Sequence, residues 1–379
     1  KVWYTFCMFE KKETNILGID IGTSSIKVLE VARVKAGHAL VTYGFVEDFQ
    51  RDLHNIGKED SNLTAQAIRS VVKKARCTTK RATAALPTYA VFTSLITVPQ
   101  LSGDELDSAV HWEAKKIIPL PLDDIILDYK ILNPKQESSL LKLPFGKKEE
   151  AAPSNNNDSL KVLITGAAKE TVQKYTEIFQ MCDLNLVSIE TEMFALSRSI
   201  VGTQPGEIMI VEIGSAVTDI IIMQNGVPFF GRSLEHGGAG ITRAITNSLH
   251  ISDKRSEQLK RDIGIRTGAD GAAGGTGGIP DIIKTALEPI VHEIRYTVDL
   301  YKSHTLTPSA QAAGTIEKII LTGGTALMPG ISEFLSQMLD MRVFVGDPWS
   351  FIQCPPDLKP VLETIGPKFS VAIGLALRE

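Results

Sequence analysis

Ile16-Leu17-Gly18-Ile19-Asp20-Ile21-Gly22-Thr23 is an apolar run that ends on an acid, a glycine and a small hydroxyl residue. Ile208-Met209-Ile210-Val211-Glu212-Ile213-Gly214-Ser215 repeats that pattern at a constant offset of 192 residues (208 − 16). Short continuous apolar runs closed by turn residues read as buried strands. Each turn leads into a second apolar strand, Ile26–Val31 in the first copy and Ile220–Met223 in the second. The unit is therefore a β-hairpin used twice. Two copies with acid, glycine and hydroxyl in register point to a duplicated domain.

The remaining chain supports a large α/β protein. Its 379 residues suffice for two or three domains. Hydrophobic residues make up 43% and charged residues 22%, a globular balance that allows a core. The net charge of −4 argues against nucleic acid as a partner, because phosphodiesters require a clustered basic surface. Cys7, Cys77, Cys182 and Cys354 lie far apart with no CxxC pair, as in a protein with reduced thiols and no zinc. No apolar run reaches about 18 residues, the length needed to span a bilayer. The apolar lead Val2–Phe9 is followed by Glu10-Lys11-Lys12 and lacks a cleavage site, so it is a poor signal peptide. Met8 reads as the natural start, with residues 1–7 upstream read-through.

Helical periodicity predicts helices at Leu63–Ala75, Ser102–Ile118 (with Ser102 as N-cap), Glu170–Met181, Glu192–Ile200, Gly240–Leu249, Ser256–Asp262, Asp281–Lys302 and Gly330–Leu339. Strands interleaved with helices give an α/β architecture. Asn133–Ser159 is low in complexity and reads as a flexible excursion between the strands Ile125–Leu132 and Leu160–Thr165. Gly268–Gly278 reads as a glycine-rich linker, since it lacks the P-loop ending and a preceding strand.

The first turn suits polyphosphate. Gly22 lets the backbone approach closely, and the amides of Thr23, Ser24 and Ser25 can form an anion nest. Lys27 supplies a compact positive charge. Asp20 ends a buried strand, where a carboxylate needs a cation, and hydrated Mg²⁺ can provide one. Taken alone, the same turn also reads as a tight hairpin with a satisfied aspartate. The second turn, with Gly214, Ser215 and Thr218, can clamp the phosphates from the other side of a closing cleft. Ile319–Thr322 runs into Gly323-Gly324, a pair that lets backbone lie flat against a purine or ribose. Glu257 and Lys260 share a helical face, either as a surface ion pair or as flanks of a nucleoside.

With these segments in order, the chain resembles the actin-like ATPase superfamily, whose signature adds a connecting helix (Glu192–Arg198 here) and a closing helix (Phe369–Ala376). Within it, the chain is similar to the PilM family of type IV pilus assembly proteins, relatives of the division protein FtsA. Leu17–Lys27, Val110–Pro121 with its Pro-x-Pro exit, Asp128-Tyr129, Ala168-Lys169-Glu170 and Ile189–Glu192 carry that likeness. The resemblance implies an actin-like (ribonuclease H-like) two-domain fold with an extra subdomain at 82–186. It places a lead-in at 1–14, a first domain at 15–205 with a returning segment at 346–379, and a second domain at 206–345. The chain stops at Glu379, just after the closing helix, where FtsA continues to a membrane helix.

By the same resemblance, ATP and Mg²⁺ are the ligands. Asp20 positions Mg²⁺ through water. Gly22, Thr23, Ser24, Ser25 and Lys27, with Gly214, Ser215 and Thr218, hold phosphates, and Glu212 joins the cofactor-binding residues. Gly237, Gly238, Glu257, Lys260, Gly323 and Gly324 surround the nucleoside, and Glu192 falls where related ATPases orient water. The family's partner is the N-terminal cytoplasmic tail of PilN, with other inner-membrane pilus (or type II secretion-like) and motor proteins and self-association beyond it. Its place is the cytoplasmic face of the inner membrane, with only indirect membrane contact. One departure is Glu212, where the superfamily usually has Asp; the extra methylene shifts the carboxylate by about 1.5 Å, which points to slow or absent hydrolysis. The competing readings are an FtsA-like filament-forming division or cytoskeletal protein and a sugar kinase, for which no sugar-binding motif is evident.

Overall fold

The computed structural model describes residues 15–35, 37–47, 49, 58–132, 159–266, 278–305 and 315–378. The expectations for the lead-in at 1–14, the excursion over 133–158 and the glycine-rich stretch up to 277 lie outside these residues.

The chain begins with three strands in antiparallel sequence, β1 (Ile16–Ile21), β2 (Ser25–Val34) and β3 (Gly37–Glu47). Helix α1 (Lys58–Lys74) leads to β4 (Arg81–Leu86), which pairs parallel to β1. Then come β5 (Val91–Pro99), α2 (Asp104–Ile117), β6 (Ile125–Leu132) and β7 (Ser159–Ala168), followed by α3 (Lys169–Met181) and β8 (Asn185–Thr191). The first sheet has the order β3-β2-β1-β4-β8; β5, β7 and β6 form a separate antiparallel sheet of their own. That small sheet is inserted between two neighbouring strands of the first. Helix α2 covers it with Leu106, Val110 and Ala114, a stripe at four-residue spacing that meets Ile96, Val98, Val162 and Ile164.

The second half repeats the plan. After α4 (Glu192–Leu196) come β9 (Glu207–Ile213), β10 (Thr218–Gln224) and β11 (Val227–Leu234), then α5 (Gly238–Leu249), α6 (Asp253–Asp262) and α7 (Ile279–Thr305). Strand β12 (Lys318–Thr322), α8 (Ile331–Leu339) and β13 (Val343–Val345) complete a sheet ordered β11-β10-β9-β12-β13. Position for position this matches the first sheet, as the repeated hairpin requires. Continuous burial of Ile220, Ile221 and Ile222 on β10 shows that both faces are covered, which is why the strand reads as an unbroken apolar run.

The chain then returns through α9 (Lys359–Ile365) to α10 (Ser370–Ala376), which is buried along its whole length. Two glycines allow this. A Cβ on Gly18 of β1 would lie 1.9 Å from the carbonyl oxygen of Ala372, and one on Gly374 would lie 1.9 Å from that of Ala195 in α4. Helix α10 is thus wedged between the first sheet and the helix that leads to the second.

One expectation is corrected and another refined. Ser102 does not cap α2: Gly103 is the N-cap, at φ 58°, and no side chain caps it. Asp104, Glu105 and Asp107 supply the negative charge that the exposed N–H groups of the first turn favour. The helix expected over Glu192–Ile200 is present, as α4 followed without a break by a π-helical turn at Ser197–Val201. There Ser197 Oγ donates to Gly226 O at 2.8 Å and Arg198 Nε to Gly374 O at 2.9 Å, bonds directed out of the helix.

Since backbone, not a flexible side chain, occupies the space at Gly374, Gly374→Ala is expected to destabilise the protein by about 3 kcal/mol. Urea unfolding checks this; an unchanged midpoint would show that the crossing has slack.

Candidate functional site

The two hairpins each carry one charged cross-strand pair at the mouth of the sheet. On β1 and β2, Asp20 stands directly opposite Lys27, and Lys27 Nζ donates to Asp20 Oδ2 at 2.7 Å. On β9 and β10, Glu212 stands directly opposite Asp219. The offset of 192 that relates Asp20 to Glu212 also relates Lys27 to Asp219. The same pair has been built twice, once with opposite and once with like charges. Like charges facing each other across a ladder are destabilising, so the second pair needs an external cation or a proton.

Glu192 adds a third acid. It opens α4 immediately after β8, and the Thr88 N–H donates to its Oε2 at 3.1 Å. Carboxylate oxygens of Glu192, Glu212 and Asp219 lie within 4.8 Å of one another. Ser233 Oγ donates to Asp219 Oδ1. The titration behaviour follows from crowding. Burial, then Asp219 and Asp20, push the Glu212 carboxyl up to about 8, against the pull of Lys27. Burial raises Asp219 to about 6, with the hydrogen bond from Ser233 opposing. Burial and the three neighbouring acids hold Glu192 well above the usual carboxylate range. Lys27 is raised: burial works against its charge, but Asp20, Glu212 and Glu192 outweigh it. An all-oxygen, negatively charged donor set of this kind fits a hard divalent cation such as Mg²⁺.

The glycines assemble the surface around these charges. Gly22 N–H donates to Ser25 O at 3.0 Å and Gly214 N–H to Val217 O at 2.9 Å, closing the two turns alike. Thr23, Ser24 and Ser25 are half-buried on the first. Gly238 N–H donates to Gly214 O at 2.9 Å, and Thr218 Oγ1 to His236 O at 2.7 Å, which ties the second turn to the start of α5. A Cβ on Gly237 would sit 2.6 Å from Ser215 O, and one on Gly323 (φ 84°) 2.6 Å from Ile213 O. Gly214, Gly237, Gly238, Gly323 and Gly324 therefore meet in one place. Lys260 forms its floor: Nζ contacts Gly238 O and Thr242 Oγ1, each at 3.0 Å, and Glu257 Oε2 at 2.6 Å. Burial would raise Glu257, but Lys260, Thr242 and Arg261 hold it at about 2. Glu257 and Lys260 are thus an inward-built pair and not a surface ornament; Lys260 is 6% exposed.

Two differences from the sequence reading stand out. Asp20 is paired with Lys27 across the hairpin, a partner the sequence reading did not give it. Asp219 and Thr88 belong to the acidic centre although the sequence reading assigned them no role. The signal for Asp219 was present: an acid beside Ile220, Ile221 and Ile222, at the repeat position of Lys27.

Residues 18–379 match the family model described as type IV pilus assembly protein PilM. The chain belongs to that family. A solved PilM-PilN type IV pilus biogenesis complex is similar to it with a TM-score of 0.75 at 24% identity, covering 96% of this chain and 98% of that one. The cell division protein FtsA of Neisseria meningitidis serogroup B is 24% identical over 392 residues, covering 97% of this chain and 90% of FtsA. MreB5 of Spiroplasma citri, solved with ADP, aligns with a TM-score of 0.52 at 13% identity over 96% of this chain and 95% of MreB5. The fold is the actin-like one that the resemblance implied, and the chain is an actin-like pilus assembly protein. Among the described residues of this PilM-family chain, no helix is long and apolar enough to cross a membrane.

Glu212 and Asp219 titrate above the ordinary values of about 4.3 and about 3.9. The folded, cation-free protein therefore keeps protons that the unfolded chain has released. Their contribution lowers stability as pH rises from about 4 through 6 towards 8, by several kcal/mol, and levels off above. Urea midpoints measured in a chelator across this range are expected to fall with pH, and Glu212→Gln is expected to make the fall shallower.

Proposed function

We propose that this chain binds Mg²⁺-ATP in the cleft between the two glycine hairpins and captures the N-terminal cytoplasmic tail of a PilN-type membrane protein. The observation that carries the nucleotide half is the uncompensated Glu212–Asp219 pair facing the Asp20–Lys27 pair. Three acids and one already-paired lysine suit a Mg²⁺ ion better than they suit one another. Asp20, Glu192, Glu212 and Asp219 would hold the ion, directly or through water, and it would neutralise phosphate charge there. Gly22, Thr23, Ser24, Ser25 and Lys27 face the phosphates from one side, and Gly214, Ser215 and Thr218 from the other. Gly237, Gly238, Glu257, Lys260, Gly323 and Gly324 cradle the nucleoside. Turnover is slow or absent in this reading, because Glu212 carries its carboxylate one methylene further than an aspartate would and Glu192 shares its space with Asp219.

The partner half is supported by a cavity of about 280 Å³ at the end of the inserted sheet, beside the exit of α2. Tyr89, Val91, Phe92, Ile118, Leu120 and Ile125 line it. Gly166 leaves its floor open: a Cβ there would lie 3.3 Å from Ile125 and 3.4 Å from Ile118. Tyr89 is 39% and Leu120 54% exposed, so apolar surface stands at the rim. An extended peptide with alternate apolar side chains suits such a groove. The protein would then sit at the cytoplasmic face of the inner membrane and link the envelope complex to the motor. The FtsA likeness keeps filament formation as a second reading; pelleting that depends on Mg²⁺-ATP separates the two.

Lys27→Ala is expected to weaken binding of a fluorescent ATP analogue by 10-fold or more, on the order of 1.4 kcal/mol. The same variant should leave binding of a PilN N-terminal peptide measurable. Tyr89→Ala should do the reverse. Titrations of both ligands against both variants check the assignment; unchanged ATP affinity in Lys27→Ala would sink the phosphate role.

A further inference from the structure

The mouth of the nucleoside cradle is spanned by charges that the reading above leaves unused. On β3, Tyr43, Phe45 and Glu47 alternate onto one face, opposite Leu29, Lys27 and Ser25 of β2. Tyr43 and Phe45 both meet Phe369 edge-on, with ring centroids 5.6 and 5.8 Å apart. Phe369 is fully buried, so this aromatic grip pins the end of β3 to the turn Gly366–Phe369. Glu47, two residues beyond Phe45, reaches Lys368 at 2.7 Å through Oε1. Its Oε2 faces Arg261 Nη1 of α6 at 3.7 Å. Arg261 Nε in turn contacts Glu257 Oε1 at 2.8 Å, and Glu257 holds Lys260.

Five charges of alternating sign therefore run from the turn before α10, across the tip of β3, to α6. Lys368 lies against the glycine pair, its Cγ 3.9 Å from where a Cβ of Gly324 would be. Within the chain of charges, the Glu47–Arg261 link alone joins a strand of the first sheet to a helix packed on the second. It is also the longest link, and the Arg261 side chain is 53% exposed. Burial alone would raise the Glu47 carboxyl, but Lys368 and Arg261 outweigh it and keep it ionised below the usual range. Such a link opens easily and is weakened by salt.

We propose that Glu47 is a positioning residue that closes an ionic strap over the nucleoside cradle, so that a purine nucleotide enters and leaves by parting Glu47 from Arg261. This rests on the cradle being a nucleotide site. The flat guanidinium of Arg261 and the stem of Lys368 would then face the base, surfaces that suit an aromatic heterocycle. Glu47 never touches the phosphates; it sets how long the nucleotide stays.

The test is stopped-flow dissociation of a fluorescent ATP analogue from the full chain, in low and high KCl. Glu47→Gln is expected to speed dissociation about 2- to 5-fold, the effect of losing the charge of two partly exposed ion pairs. Glu47→Asp should recover part of the loss. Salt should speed release from the wild type and have little effect on Glu47→Gln. Equal rates and equal salt dependence in wild type and Glu47→Gln would overturn the strap while leaving the nucleotide site standing. If the wild type binds no nucleotide, the site reading fails. The strap then stands or falls on hydrogen exchange of the ligand-free protein, where Glu47→Gln should hasten exchange in α6, and unchanged exchange overturns it.

Discussion

The like-charged pair of Glu212 and Asp219 is the constraint to which the rest of the site answers. Cross-strand geometry forces the two carboxylates together, because directly opposed residues on β9 and β10 must share a face. Glu192 is brought beside them by α4, which starts where β8 ends. Lys27 sits close enough to feel Glu212 and Glu192, yet is held by Asp20. The centre thus carries a surplus of negative charge in a partly dry cleft, and the surrounding architecture keeps that surplus in place. Protons satisfy it in the free protein; a divalent cation with its phosphate ligand satisfies it differently.

The packing that fixes this geometry is backbone on backbone. Gly18 and Gly374 let α10 touch β1 and α4 at distances no side chain permits. The second turn, the start of α5 and the strand ending at Thr322 meet in the same manner through Gly214, Gly237 and Gly323. Interiors packed this closely move as rigid bodies and do not deform continuously. The flexible part of the site is accordingly at its rim, where Glu47, Arg261 and Lys368 hold one another through partly exposed ion pairs.

Much of this was legible in the residues. The doubled hairpin, with its offset of 192, specified two equivalent sheets, and their strand orders are indeed the same. The glycine clusters marked places of close approach, and Glu257 and Lys260 were visible as a pair at helical spacing. What escaped was information held in register and not in spacing. That Asp20 would bond Lys27 follows only when their cross-strand alignment is known. Asp219 joins the acids only through its pairing with Glu212 across the strands. Thr88 and Glu47 are distant in sequence from everything they touch, so no local pattern could have found them. The Ser102 cap was misread because Gly103, which can take a positive φ, displaced it by one residue.

The short turn Thr88–Ala90 has two faces. Thr88 is buried and its N–H holds Glu192, while Tyr89 lines the cavity beside the inserted sheet. Only one peptide bond lies between the acidic centre and that cavity. Whatever holds the backbone of this turn in place therefore bears on both sites at once, since the two residues share a single turn of chain.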